Sequence, residues 1–283
     1  MTATNEELKE QQRRQWSANA AGWDSMHDRL ERETGPVSDW LFREAGLAPG
    51  MKVLDLACGS GHPAINAARL VRPGGSVVAT DLAPEMVEVT RRRVREAGLD
   101  NVEVRVMDLE AIDFPDESFD AATCRFGLMF CPQPGKAVSE VRRVLKPGGR
   151  FALSVWDLPE RSPGQTVMGE ALRRLGRPQP PIDYDAPGIY QLAPPGKLEA
   201  LLREAGFGEI KVESMTLDFE YESLEALWGR ALVRPGALRA QVQEMSEEEL
   251  QRLKGMLGEV VQPYTRGGVI HLPTTPLCAA ATK

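Results

Sequence analysis

The sequence predicts an α/β fold built on a doubly wound, mostly parallel sheet, and three observations carry that expectation. From Met51 onward, apolar strand-like runs alternate with helix-like stretches at a regular pitch. The junctions are marked by Gly and Pro, as in CGSG at 58–61 and KPGG at 146–149. Strands alternating with helices in this way imply a parallel sheet covered on both faces.

The elements follow in order. Residues 6–18 and 37–45 read as helices, the second with Val37, Trp40 and Leu41 at helical spacing, and LAPG at 47–50 breaks the chain. A first strand spans 53–57, and a helix over 63–71 begins on Pro63, a residue suited to a first turn. A second strand covers 76–80, a helix 84–97, a third strand 102–106 and a fourth 119–124. A helix over 136–145 and a fifth strand over 151–156 follow. The rhythm then breaks in a Pro-rich segment, 157–195, with PQPP at 178–181 and a helix near 165–175 inside it. Long irregular segments of this kind are often lids or binding loops. The pattern returns as a helix over 196–205, a strand over 210–219, helices near 224–233 and 246–261, and a final strand over 269–281.

The bulk properties exclude several classes. Hydrophobic content is 42% and charged content 27%, so an ordinary buried core is expected. A net charge of −7 disfavours a phosphate backbone or an anionic membrane surface as partner. Arg91, Arg92 and Arg93 read as a solvated helix face. No apolar run is long enough to cross a bilayer, the N-terminal residues lack an apolar leader core, and the expected compartment is the cytoplasm. Four cysteines without CxxC spacing and three histidines predict neither a disulfide framework nor a zinc site.

The strongest motif is VLDLACGSGHPA at 53–64, a strand running into a glycine turn that opens a helix. Gly59 and Gly61 permit a tight turn and close approach of a ligand. Gly59 to Ala64 also satisfies the dinucleotide fingerprint, with Asp81 about 20 residues on, so a nicotinamide-dependent oxidoreductase is an alternative. Three features weigh against it. Asp55, inside the first strand, would repel phosphates but welcome a cofactor with an α-amino group and a sulfonium. Asp108, after the third strand, is positioned to accept from an adenine amine. No tyrosine is followed by a lysine at the spacing of a hydride-transfer pair.

Four segments in order, VLDLACGSG (53–61), VVATDLAPEMVEVTRRR (77–93), VEVRVMDLEAIDFPDESFDAATC (102–124) and RRVLKPGGRFALSVW (142–156), resemble class I S-adenosylmethionine-dependent methyltransferases, most closely the ubiquinone and menaquinone biosynthesis C-methyltransferase group. The resemblance covers residues 10–156 well and the rest loosely. It implies a seven-stranded Rossmann-like sheet with helical lid insertions, the last strand lying antiparallel beside the fifth. It divides the chain into an N-terminal helical lid, 1–45, and a methyltransferase domain, 46–283, with insertions at about 157–195 and 222–265.

The resemblance also implies roles. Asp55, Ala57, Gly59, Gly61 and Arg125 would meet the methionyl part of S-adenosylmethionine, and Ala57 stands where many members carry Gly. Asp81 would hold the ribose hydroxyls. Leu82 and Met86 would flank the adenine, whose amine Asp108 would bind with help from the Leu109 backbone. Trp16 and Trp23 would lie in a helix closing over the cofactor. No catalytic side chain is obligatory for methyl transfer; His27, His62 and His271 are the candidate bases. The expected acceptor is a small, hydrophobic or aromatic molecule facing Trp156 and Asp157. Arsenite held by Cys124 and Cys131, and a non-catalytic cofactor-binding protein, are the other readings. The atom methylated and the oligomeric state stay open.

Overall fold

A computed structural model describes residues 3–177, 179–233, 241–242 and 244–283. Pro178 of the PQPP segment and residues 234–240 and 243, within the insertion expected at 222–265, lie outside the described residues.

Helices α1 (Asn5–Ser25) and α2 (His27–Glu44) open the chain. Thr4 and Glu7 form a reciprocal capping box that satisfies two otherwise unpaired donors at the start of α1. Both helices run longer than the sequence pattern suggests. Pro36 is accommodated inside α2, and the polar stretch between the two apolar runs is helical as well. The apolar stripe of α2, with Val37 and Leu41 fully buried, packs on the sheet.

The alternating core then runs β1 (Lys52–Leu56), α3 (His62–Leu70), β2 (Ser76–Asp81), α4 (Pro84–Glu96), β3 (Val102–Val106), β4 (Phe119–Arg125), α5 (Pro134–Val144) and β5 (Leu145–Trp156). Helices α3, α4 and α5 carry Pro in their first turn, where the missing N–H leaves no bond unmade. The KPGG segment belongs to the start of β5, with an irregularity in its pairing to β4, and does not form a separate turn.

The central sheet has seven strands in the order β3-β2-β1-β4-β5-β10-β6, where β6 is Gly208–Ser214 and β10 is Pro276–Thr282. Strands β1 to β5 are parallel, and β10 inserts antiparallel between β5 and β6, with Cys278 opposite Ser154. The small side chains Ala279, Ala280 and Ala281 are fully buried there. They let α2 and α7 (Lys197–Glu204) approach the sheet closely.

Two expected strands each divide. The run 210–219 becomes the end of β6 and β7 (Leu217–Tyr221), and the run 269–281 becomes β9 (Val269–Thr274) and β10. Pro273 and Pro276 bracket the second break, since proline cannot donate to a continuous ladder. The freed strands form a second sheet, β7-β9-β8, with β8 at Thr265–Arg266. Gly267 and Gly268, both at positive φ, make the tight hairpin from β8 to β9. This small sheet stands over the carboxyl edge of the main one, against α6 (Pro163–Arg174) and α8 (Leu224–Val233). Helix α9 (Glu247–Val261), started by a Ser246–Glu249 capping box, packs on α6.

Leu54, in the middle of β1, has no exposed surface. Leu54→Ala is expected to lose about 3 kcal/mol through lost burial and a cavity. In urea denaturation the midpoint should fall with the slope unchanged.

Candidate cofactor-binding site

The strand order reverses between β1 and β4, and crevices at such a switch point are where ligands enter open α/β sheets. Asp55 sits there, fully buried near the end of β1. Its Oδ1 accepts from the Thr123 hydroxyl of β4 at 2.8 Å, while Oδ2 is sealed from solvent without a partner. Burial pushes its pKa up to about 7, against the Thr123 bond and the Arg125 charge.

The glycine turn is held from both sides. Asp81, the last residue of β2, accepts from the Gly59 amide at 2.9 Å through Oδ2 and from the Ala83 amide at 2.9 Å through Oδ1. Each oxygen keeps lone-pair capacity for a further donor. Burial raises the Asp81 pKa, and the backbone bonds act against that. Thr90 of α4 donates to the Gly59 carbonyl at 2.8 Å. Gly61, at φ +92°, caps α3, and a side chain there would crowd Thr90.

Ala57 stands at φ +52°, a left-handed conformation that favours glycine. Its Cβ lies over Gly127, where an added methyl would come within 2.3 Å of it. Phe126, just past β4, is also left-handed at φ +60°. Its ring stacks on Trp156 at 4.1 Å, and Trp156 meets Phe219 edge-on at 6.5 Å.

Arg125 ends β4 and turns toward α2, donating to Glu31 at 3.1 Å and to Ser38 at 2.8 Å. Glu31 also accepts from Asn66 at 2.7 Å and lies 3.5 Å from His62. His27 and His62 stack face to face at 3.4 Å, and His27 Nδ1 bonds Ser60 of the glycine turn at 3.1 Å. Burial and the neighbouring His62 hold the His27 pKa down at about 3, and burial lowers that of His62. An ion could not lie in the planes of both parallel rings, so their stacking argues against shared metal ligation although Asp28 is close. His271 lies apart on the small sheet, paired with Asp218 at 2.7 Å.

The adenine-side candidates gather at the ends of β2 and β3. Met86 is buried against Ala83 and Ala20, with Trp16 and Trp23 packed on them. Trp16 also meets Phe130 edge-on at 4.9 Å. Leu82 is half-buried and Leu109 is buried. Asp108 accepts from the Glu110 amide at 2.8 Å and from Lys9 of α1 at 2.8 Å.

Sequence reasoning did not single out Lys9, Glu31, Thr90 or Thr123, whose partners lie far along the chain. Arg92 and Arg93 are not simply solvated: both bind Asp24 of α1, at 2.7 and 2.6 Å. The arsenite reading meets buried thiols. Burial raises the Cys131 pKa and pushes that of Cys124 up to about 12, so thiolate is scarce at neutral pH.

Comparisons with known proteins give this geometry its family. A profile described as a methyltransferase domain matches residues 53–149. The ubiquinone/menaquinone biosynthesis C-methyltransferase of Shewanella pealeana is 31% identical over 209 residues, covering 70% of this chain and 82% of that one. The chain belongs to the class I S-adenosylmethionine-dependent methyltransferases. This methyltransferase is also 32% identical to the nocamycin O-methyltransferase of Saccharothrix syringae, over 69% of its own length and 72% of the relative's. A crystal structure of a candidate methyltransferase from Bacillus halodurans shares the fold at a TM-score of 0.58 and 26% identity, covering 88% and 99% of the two chains. The enzyme's cofactor is therefore S-adenosylmethionine, and the oxidoreductase alternative falls away. No helix among the described residues is long and apolar enough to cross a membrane.

The site residues fit that cofactor. The sealed, unpartnered Asp55 oxygen, the left-handed glycines and the carboxylates ending β2 and following β3 suit a cationic amino acid joined to a nucleoside.

Two predictions follow from this geometry. Gly127→Ala should destabilise the methyltransferase by about 2 kcal/mol through overpacking against Ala57, and adding Ala57→Gly should recover most of the loss. The four denaturation midpoints of the double-mutant cycle measure it. The second concerns pH. The unfolded chain binds more protons than the folded one at His27, between about pH 3 and 6.5, so that residue makes stability rise with pH. Asp55 does the reverse between about pH 3.8 and 7, because its folded form keeps the proton. The two slopes oppose each other over the shared window. Asp55→Asn should therefore steepen the rise of stability from pH 4 to 6.5 relative to wild type, by about 1 kcal/mol per pH unit. His27→Phe should flatten or reverse it, as pH-dependent urea titrations would record.

Proposed function

We propose that this methyltransferase acts in the cytoplasm on a small hydrophobic or aromatic acceptor rather than on nucleic acid. The observation that carries the reading is the aromatic series Phe126, Trp156 and Phe219, which runs from the switch point up into the small sheet. Trp156 and Phe219 are buried behind the half-buried Phe126, whose open edge would favour a flat or apolar acceptor by area and by ring contact. The acidic net charge and the four buried free cysteines support the cytoplasmic, non-nucleic-acid part of the reading. The two relatives above are named for methylation at carbon and at oxygen, so similarity leaves the acceptor atom open.

In this reading Asp55, Arg125 and the backbone of Ala57, Gly59 and Gly61 hold the methionyl end. Asp81 accepts from the ribose hydroxyls with the lone pairs its amide bonds leave. Leu82 and Met86 flank the adenine, Asp108 accepts from its amine beside Leu109, and Trp23 with Trp16 closes α1 over it. S-adenosylmethionine, when bound, supplies a methyl group already activated on a sulfonium. The protein's share is orientation and exclusion of water. An imidazole with a pKa near 3 is a poor base at neutral pH, so His27 serves to fix Ser60 of the glycine turn rather than to take a proton.

Calorimetric titration with S-adenosylhomocysteine, NAD and NADP, together with a turnover assay over phenolic and non-aromatic acceptors, tests this. Wild type should bind S-adenosylhomocysteine at about micromolar Kd, near −8 kcal/mol, and neither nicotinamide. Asp81→Ala should lose about a hundredfold of that affinity. Trp156→Leu should keep cofactor affinity and lose at least about tenfold in kcat/KM for aromatic acceptors. Equal turnover of aromatic and non-aromatic acceptors by both proteins would refute the acceptor assignment.

A further inference from the structure

Lys9 is a buried cation in the polar first half of α1. Only 9% of the residue is exposed, and its ammonium lies 2.8 Å from Asp108 Oδ2 and 2.9 Å from Glu110 Oε2. Burial opposes its charge, and the bonds to the two carboxylates more than offset that, so the ammonium is retained. Glu110 is buried too, and its other oxygen accepts from the Gln133 amide at 2.7 Å.

We propose that Lys9 is a positioning residue for adenine recognition: it fixes Asp108 as the acceptor that distinguishes a 6-amino purine from a 6-oxo one. The inference rests on the assignment of Asp108 to the adenine amine. Asp108 Oδ1 is tied to the Glu110 amide and Oδ2 to Lys9, so the carboxylate is held in one orientation. The Asp108 side chain is still 27% exposed, leaving one edge open to a further donor. Two carboxylates share one ammonium here, and the surplus charge is negative. That field attracts an exocyclic amine and repels a carbonyl oxygen in its place.

The seating of α1 does not rest on Lys9 alone. At the far end of the helix Asp24 binds Arg92 and Arg93, and Trp16 packs on Phe130. Loss of Lys9 therefore leaves α1 docked while freeing Asp108 to turn toward solvent.

The test compares S-adenosylhomocysteine with its deaminated analogue S-inosylhomocysteine, by calorimetry, on wild type, Lys9→Met, Lys9→Arg and Asp24→Ala. Wild type should prefer the amino compound about thirtyfold, the range of a charge-assisted hydrogen bond. Lys9→Met should cut that preference to about threefold, chiefly by weakening the amino compound, and Lys9→Arg should restore most of it. Asp24→Ala, which loosens the other end of α1, should weaken both ligands alike and keep the ratio. A wild type that binds both compounds equally would overturn the assignment of Asp108 itself. A wild-type preference that survives in Lys9→Met would overturn the role of Lys9 alone. An equal loss of both ligands in Lys9→Met would reduce Lys9 to a clip on α1.

Discussion

A carboxylate buried in β1, an inner strand of the sheet, is the constraint around which the switch point is arranged. Asp55 has no exposed surface, and a lone buried charge is among the costliest groups a core can hold. The fold answers with one hydroxyl, Thr123, directly across the β1–β4 pairing, and leaves the other oxygen without a partner. The result is a group poised near neutral pH rather than a fully ionised one. The unpartnered oxygen leaves an unsatisfied acceptor buried at the switch point, a cost that the rest of the fold has to carry.

The surroundings of Asp55 show the same economy at larger scale. Arg125 lies at the neighbouring strand end but is bonded to Glu31 and Ser38 of α2, so its charge is shared with the helix that covers the sheet. Glu31 draws in Asn66 and approaches His62, which binds α3 to the same point. The stacked imidazoles then join α2 to Ser60 of the glycine turn. The glycine loop is thus braced by Asp81 and Thr90 on one side and by the α2 network on the other.

The alternating core from β1 to β5 was legible because its signals are local: apolar runs, glycine turns and proline starts within a few residues of each other. Asp55, Asp81 and Asp108 stand out in the sequence because each sits in or just after a strand, and the structure places all three toward the carboxyl ends of β1, β2 and β3. What escaped depends on long-range contact. Lys9 reads as one more charge on a polar helix until the chain brings it against Asp108 and Glu110, about a hundred residues away. Glu31 meets Arg125 in the same way. The division of 269–281 into two strands was written in Pro273 and Pro276, and the apolar continuity around them masked it.

Two of the four left-handed non-glycine residues among those described flank the same place, independently of charge. Ala57 and Phe126 are left-handed without being glycine, and each such conformation costs on the order of 1 kcal/mol. They sit just past adjacent strands, β1 and β4, on either side of the switch point. Their neighbours explain why the strain persists. The bare backbone of Gly127 receives the Ala57 methyl, and the Phe126 amide is held by the Ser154 carbonyl at 3.0 Å while its ring lies flat on Trp156. The turn at Ala57 leads into the glycine loop, and the turn at Phe126 sets its ring against Trp156. Ala57 packs on Gly127, the residue after Phe126, so the two turns are coupled through one backbone contact, and a change at either one strains the other.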